Sequence, residues 1–482
     1  MRVVMGDKRP GGVLLGYTTI MRIRLVLYAF AAFLWLGCSD ARPSPPTLPD
    51  SGPDIEPGDT KTPDVLSPSD ARGPEPKLPD ADTEIVLAYG APSTLFGLDA
   101  TADPSAADVV FLIDTTSSFR EEIDNLQRDM TRVVIPGIRA RVPNSSFGVA
   151  AFEDFPAADF GSSTDRPFTL ETAVTSSLSS VEQAVAKLDD PLGHGGDYPE
   201  SGLEALWQLS TGDGFVHQGQ TLVAPYSGHA LVGGGTLGGA GFRQGALHIV
   251  ILATDALFHT PSDYEDTFSG VHGLPEAIAA MNALDIFAVS MVSDPEVRGD
   301  PAYIAVATHA VMAPIDEACP TGLNGQTHPP LAGVCPLVFD IKSNGSGTSS
   351  TLVDAVVALV NSLEFQEVHA EIIDDPLGFV RSVEASSATV PFGIPMPGRE
   401  DRQPPFDGVF DTFVEVGAGV TLRFEVTLKN DLLPSAPDYP HIFRVPIEVV
   451  GDGIVLSRTT LRIIVPAMPS NDGGVDDIDG GP

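Results

Sequence analysis

Continuous apolar runs begin near Ala107 and from there alternate with amphipathic segments. Short runs rich in Val, Ile, Leu and Phe at 109–113, 147–152, 248–253, 286–292 and 337–341 predict strands buried on both faces. Between them, 119–134, 179–188, 200–209, 275–284, 303–311 and 352–365 carry apolar residues three and four apart, which predicts helices. Strands alternating with helices call for a mostly parallel sheet covered on both faces, so residues 105–365 are expected to form a doubly wound α/β domain. The glycine-laden stretch 211–245 breaks the pattern and reads as an insertion, with a flexible loop at Gly233–Gly241. Beyond Gln366 the helical period ends. Residues 421–428, 441–450 and 454–465 are short alternating runs separated by turns such as Gly451-Asp452-Gly453, which predicts a β-sandwich over 366–468.

Upstream, Arg22 and Arg24 precede an apolar run over 25–37, shorter than the roughly 20 residues a membrane-spanning helix needs. It reads as a secretory signal, and Met21 opens a better-formed one than Met1. The run ends in Leu34-Trp35-Leu36-Gly37-Cys38, which resembles the lipobox of bacterial lipoproteins. That resemblance implies cleavage before Cys38, a lipid on Cys38 and attachment to a membrane; Ser39, rather than Asp, after the cysteine favours the outer one. Cleavage by the ordinary secretory peptidase, or a plain buried Cys38, is the alternative. Residues 39–83 repeat Pro with Asp, Ser and Glu and cannot bury a core, so they are expected to be a stiff tether. Residues 469–482 read as an acidic, disordered tail.

A net charge of −38 repels nucleic acid and anionic membrane surfaces. With Cys38 lipidated, Cys319 and Cys335 remain as an even pair and are expected to form a disulfide in an oxidising compartment. Two unrelated buried thiols are the alternative.

The chemistry gathers at strand ends. Asp114-Thr115-Thr116-Ser117-Ser118 follows the first strand directly, a carboxylate with hydroxyls at alternate positions. Such a loop caps a helix or rings a hard cation with oxygen. Asp255 follows the strand at 248–253, and Glu200 closes Gly195-Gly196-Asp197-Tyr198-Pro199-Glu200. Open α/β sheets collect ligands at this carboxyl edge.

Together with Val109-Val110-Phe111-Leu112-Ile113 and Ala253-Thr254-Asp255-Ala256, these segments resemble the von Willebrand factor type A family, in its integrin β-subunit and hemicentin-like branch, over about 107–365. The resemblance implies a metal-ion-dependent adhesion site. Thr116 and Ser118 would bind Mg²⁺ through their hydroxyls, Glu200 directly or through water, and Asp114 and Asp255 through water. One coordination position stays open for a carboxylate of a partner protein. An octahedral, all-oxygen set suits Mg²⁺. Glu121 and Glu122 match the paired acids of an adjacent Ca²⁺ site, or else form a solvated helix face. Asp154 and Asp197 match two ligands of a third ion, whose side-chain amide is missing at Gly195. His194, His248, His259 and His272 form no paired zinc motif, and His259 is expected to line the pocket or to hydrogen-bond near Asp255. Family members couple the metal to movement of their C-terminal helix, here 352–365; a rigid adhesin whose helix does not move is the alternative.

The expected function is therefore binding rather than catalysis. A structural envelope protein with a stabilising metal site is one rival. A metal-dependent hydrolase is another, but neither Gly-x-Ser-x-Gly nor His-Glu-x-x-His occurs, and the glycine run lacks the Lys-Ser/Thr ending of a phosphate loop.

Overall fold

The computed structural model describes residues 83–157, 159–189, 191–436 and 439–468. The expected signal peptide, Cys38 and its lipobox, the tether up to residue 82 and the tail from 469 lie outside the described residues.

Ala107–Asp114, with the sequence ADVVFLID, is buried at every position because a parallel strand flanks it on each side. Phe111 stands across from Val149 on one neighbour and Ile251 on the other. The sheet runs Val338–Asp340, Ile286–Val292, Leu247–Thr254, Ala107–Asp114, Ser145–Phe152, Thr169–Thr175, parallel throughout except for the last strand. Alternate side chains of the central strand enter different cores. Val109, Phe111 and Ile113 pack with Phe119, Ile123, Leu126 and Val356. Val110 and Leu112 pack with Leu203, Leu206, Leu209 and Phe258. Each such large side chain contributes about 1.5–3 kcal/mol on full burial, so both helical layers are held through the same strand. The fold is the doubly wound α/β arrangement followed by a β-rich region.

Helix limits shift for local reasons. The segment expected at 119–134 is Arg120–Asp129, then a widened turn Met130–Val134, then a second helix Ile135–Arg141. Pro136 has no N–H to give to the preceding turn, and Ile135 reaches back to the carbonyl of Met130 instead. Gly137 lets this second helix approach the C-terminal one, since a Cβ there would lie 2.7 Å from Val353 Cγ2. The C-terminal helix is Thr348–Asn361 rather than 352–365, and Phe365 already belongs to the strand Glu364–Ile372.

The glycine run is not a loose loop. Its backbone lies against the edge strand, with Val174 N–H donating to the carbonyl of Ala240 at 2.8 Å. A Cβ at Gly234 would meet the Val174 carbonyl oxygen at 1.9 Å, so glycine is what permits the approach.

The β-sandwich draws on chain from both sides of the α/β domain. One sheet runs Thr83–Val86, Ile454–Val465, His441–Gly451, Glu364–Ile372, Thr412–Gly417, Gly398–Glu400, and the other Val380–Thr389, Thr421–Leu428, Thr94–Thr101. Thr83–Val86 pairs in parallel with Leu461–Ile464, and Thr94–Thr101 pairs antiparallel with Thr421–Leu428. Two corrections follow. The sandwich is not confined to 366–468, and Thr83 starts a strand instead of ending the tether. The α/β domain is thus inserted between two strands of the sandwich. Phe413 of one sheet meets Phe424 of the other edge to face, centroids 5.2 Å apart, in the apolar layer between them.

Candidate metal centre

The central strand ends on Asp114, whose carboxylate folds the following loop onto itself. Its Oδ1 accepts from the backbone N–H of Thr116 at 2.9 Å and from the Thr116 hydroxyl at 2.6 Å. The Thr116 and Ser118 hydroxyls lie 3.2 Å apart, and Ser118 donates to Asp255 Oδ1 at 3.1 Å. Asp114 also accepts from Thr254 at 2.7 Å through Oδ2. No side chain caps Ser117–Phe119 or the helix Arg120–Asp129 that follows. Asp114 therefore spends its oxygens on the hydroxyl ring and not on a helix end. Ile113 and Ala253 are register partners on neighbouring parallel strands, which brings Asp114 level with Thr254 and Asp255 to the same edge one residue on.

Glu200 reaches the same edge from a separate loop. Its N–H donates to the carbonyl of Leu257 at 2.8 Å, and its own carbonyl accepts from His259 at 3.0 Å. The next residue, Ser201, is tied to the carbonyl of Glu153 through both its N–H and its hydroxyl. The side chain is buried, and Oε2 has no hydrogen-bond partner. Burial, followed by the charges of Asp114, Asp154, Asp165 and Asp197, pushes the Glu200 carboxyl up to about 11. Asp114 is pushed up to about 6 by burial first and by Asp255 second. Asp255 is also raised, chiefly by burial.

The flanking acids separate. Glu121 is exposed, whereas Glu122 turns inward, with Oε2 buried and unpartnered and its carboxyl pushed up to about 7, mainly by burial. The pair is therefore not a uniformly solvated helix face. Asp154 is buried and Asp197 exposed, and both face His259. His259, expected as a pocket-lining or hydrogen-bonding residue, has its ring on these two acids. His248 is engaged by two carbonyls and His272 by Glu204.

Several participants carry no sequence signal of their own. Thr254 orients Asp114 across two strands, and Tyr198 donates its hydroxyl toward the Asp255 carbonyl and Asp294 Oδ2, each at 3.0 Å. Glu153 accepts from Arg166 N–H at 2.9 Å and is pushed up to about 7 by burial. Tyr198 and Thr254 were present only as members of the segments Gly195–Glu200 and Ala253–Ala256, and nothing hinted at Glu153. Cys319 and Cys335 are joined as a disulfide beside Asp340, which accepts from Arg298 and lies 2.7 Å from His328 Nε2.

A divalent cation fits this donor set. The hydroxyls of Thr116 and Ser118 and the carboxylates of Asp114, Asp255 and Glu200 are hard oxygen donors of the kind Mg²⁺ takes. The buried Glu200 oxygen without a partner is an acceptor that such an ion satisfies.

No protein-family model matches the chain, and no curated protein matches it. Among solved structures it is similar to a von Willebrand factor type A protein from Catenulispora acidiphila, at 15% identity and a TM-score of 0.31 over 80% of this chain and 72% of that one. It is also similar to the pilus adhesin SpaC of Lactobacillus rhamnosus GG in its open conformation, at 12% identity and a TM-score of 0.31 over 78% of this chain. The match covers 46% of the adhesin's own length. At that level of superposition, the chemistry of the site stands on its own residues.

Proposed function

We propose that the α/β domain is a metal-dependent protein-binding module displayed on the bacterial cell envelope. Thr116, Ser118 and Glu200 hold Mg²⁺, while Asp114 and Asp255 fix the hydroxyls. The bound ion supplies a positive centre in an acidic protein and so attracts a carboxylate of the partner. The observation that carries this reading is the buried, unpartnered Glu200 oxygen beside the Asp114–Thr116–Ser118–Asp255 chain. Glu122, with Glu121, is a candidate for an adjacent Ca²⁺.

The rim adds a preference. Tyr198 and Leu257 remain 50% and 41% exposed on the two segments that bracket Glu200, so the favoured ligand carries an apolar side chain next to its acid. No helix among the described residues is long and apolar enough to cross a membrane. Lipidated Cys38 is the proposed anchor, with the outer membrane as its site.

The test is capture of envelope proteins by the purified chain in Mg²⁺ and in chelator, with Asp114→Ala and Thr116→Ala beside the wild type. Mg²⁺-dependent capture lost in both folded variants supports the reading. Equal capture with and without chelator makes the metal site merely structural.

A further inference from the structure

Next to the proposed Mg²⁺ site, three side chains from three loops converge on one point. Asp154 follows the strand Ser145–Phe152, Asp197 lies in the Gly195–Glu200 segment, and His259 lies four residues beyond Asp255. One ligand atom from each falls within 4.8 Å of the other two. His259 Nε2 lies 3.2 Å from Asp197 Oδ1 and 3.4 Å from Asp154 Oδ2.

The hydrogen bonding here is one partner short. Asp154 Oδ1 accepts from the Tyr264 hydroxyl and from the N–H of Phe155. Its Oδ2 is buried and has no hydrogen-bond partner, although it points at the imidazole. A single Nε2–H serves one acceptor, and Asp197 is the closer. Bare Nε2 facing a cation satisfies both carboxylates at once. The opposite ring nitrogen, Nδ1, lies 3.6 Å from Asp263 Oδ2. Asp263 is itself held by the Thr260 hydroxyl and N–H. A carboxylate behind the far nitrogen of a histidine is how metal-bound imidazoles are oriented, with the proton kept on that far side.

We infer that Asp154, Asp197 and His259 form a second metal site of mixed nitrogen and oxygen donors, which takes a borderline transition-metal ion, Zn²⁺ foremost, in preference to Mg²⁺ or Ca²⁺. Zinc–ligand bonds of about 2.0–2.1 Å at tetrahedral angles set neighbouring donors about 3.3 Å apart, close to the two imidazole–carboxylate separations seen here. An imidazole also shifts preference away from hard cations, which favour oxygen alone. The third-ion site implied by the sequence lacked its amide at Gly195. The imidazole fills that shortage from a different loop and changes the class of metal in doing so. This inference does not depend on Mg²⁺ at the first site.

The experiment uses the full chain without a histidine tag, stripped with chelator and held in excess Mg²⁺ to saturate the first site. Zn²⁺ is titrated by calorimetry and Co²⁺ by visible absorption, whose intensity distinguishes a tetrahedral site from an octahedral one. One Zn²⁺ per chain is expected. Its affinity should fall at least tenfold in His259→Asn and about tenfold in Asp263→Asn, while Asp114→Ala retains it. Asp197→Asn alters an exposed side chain and so serves if the His259 variant does not fold; it should lose Zn²⁺ as well. Absence of Zn²⁺ binding in the wild type overturns the inference and leaves His259 as a charged partner of its acids. Equal binding in wild type, His259→Asn and Asp197→Asn overturns it too, as does loss in Asp114→Ala alone, which would put zinc at the first site.

Discussion

Thr254 donates its hydroxyl to Asp114 Oδ2 at 2.7 Å, linking the last residues of two adjacent parallel strands through their side chains. The bond is buried and aims the other oxygen, Oδ1, at Thr116. Thr254→Val keeps the shape and removes the donor. Mg²⁺ affinity should fall by roughly tenfold or more, as is usual when an orienting partner of a metal ligand is lost. Calorimetry on a variant with unchanged circular dichroism checks it, and unaltered affinity would leave Thr254 as strand packing alone.

The acids set a pH dependence. Asp114 is pushed from 3.8 up to about 6 and Glu122 from 4.5 up to about 7, both mainly by burial. An acid with a raised folded pKa holds more protons folded than unfolded between the two values, so its contribution to stability falls as pH rises through that window. The chelated protein should lose thermal stability from about pH 4 through about pH 7 and further above it as Glu200, raised to about 11, ionises, and saturating Mg²⁺ should flatten the loss. Parallel melting curves with and without Mg²⁺ across this range would separate these acids from any ion.

Partner binding and metal binding should come apart at the rim. Leu257→Ala removes exposed apolar surface without touching a proposed ligand, while Tyr198→Ala also removes the hydroxyl that donates to the Asp255 carbonyl. Each should weaken capture of the partner by about 1–2 kcal/mol, with Mg²⁺ affinity within error in the Leu257 variant. If Mg²⁺ affinity drops equally, those side chains support the loop and are not a contact surface.

Strands that bury both faces were legible as plain apolar runs: Ile286–Val292 has the bounds its residues suggest. So were the half-buried strands Thr421–Leu428 and Ile454–Val465, whose alternation shows directly. Thr94–Thr101 was not. Only Leu98 and Ala100 of TLFGLDAT turn fully inward, and its partner strand lies more than three hundred residues along the chain. The edge strand Thr169–Thr175 was missed for a similar reason, being half-exposed over its first four residues. At the site, the loop Asp114–Ser118, Glu200 and Asp255 could be read because they form local motifs at strand ends. The grouping of His259 with Asp154 and Asp197 could not, since it depends on three loops meeting in space.

The disulfide between Cys319 and Cys335 closes a loop sixteen residues apart in sequence. A cross-link of that span restricts the unfolded chain by about 3 kcal/mol. Cys335→Ser should lower stability by that order, and reductant should do the same to wild type but nothing further to the variant. A melting temperature indifferent to both would mean the loop is held by Asp340 with Arg298 and His328 instead.

A fragment begun at residue 105 lacks both upstream strands. It leaves the Leu422–Leu428 edge of the three-stranded sheet without its partner Thr94–Thr101. Such a fragment should aggregate or melt well below one begun at Thr83, and comparing their soluble yield and unfolding midpoints decides it.

Because the α/β domain is inserted into the sandwich, it is fastened by two chain crossings, one after Thr101 and one after Asn361, and both enter the same β-structure. Tension applied from upstream of Thr83 first meets the parallel pairing of Thr83–Val86 with Leu461–Ile464. Pulled along their length, those hydrogen bonds are loaded together in shear and do not open one at a time. The load then passes into the sandwich, to which the metal-bearing domain is joined in sequence at its two crossings.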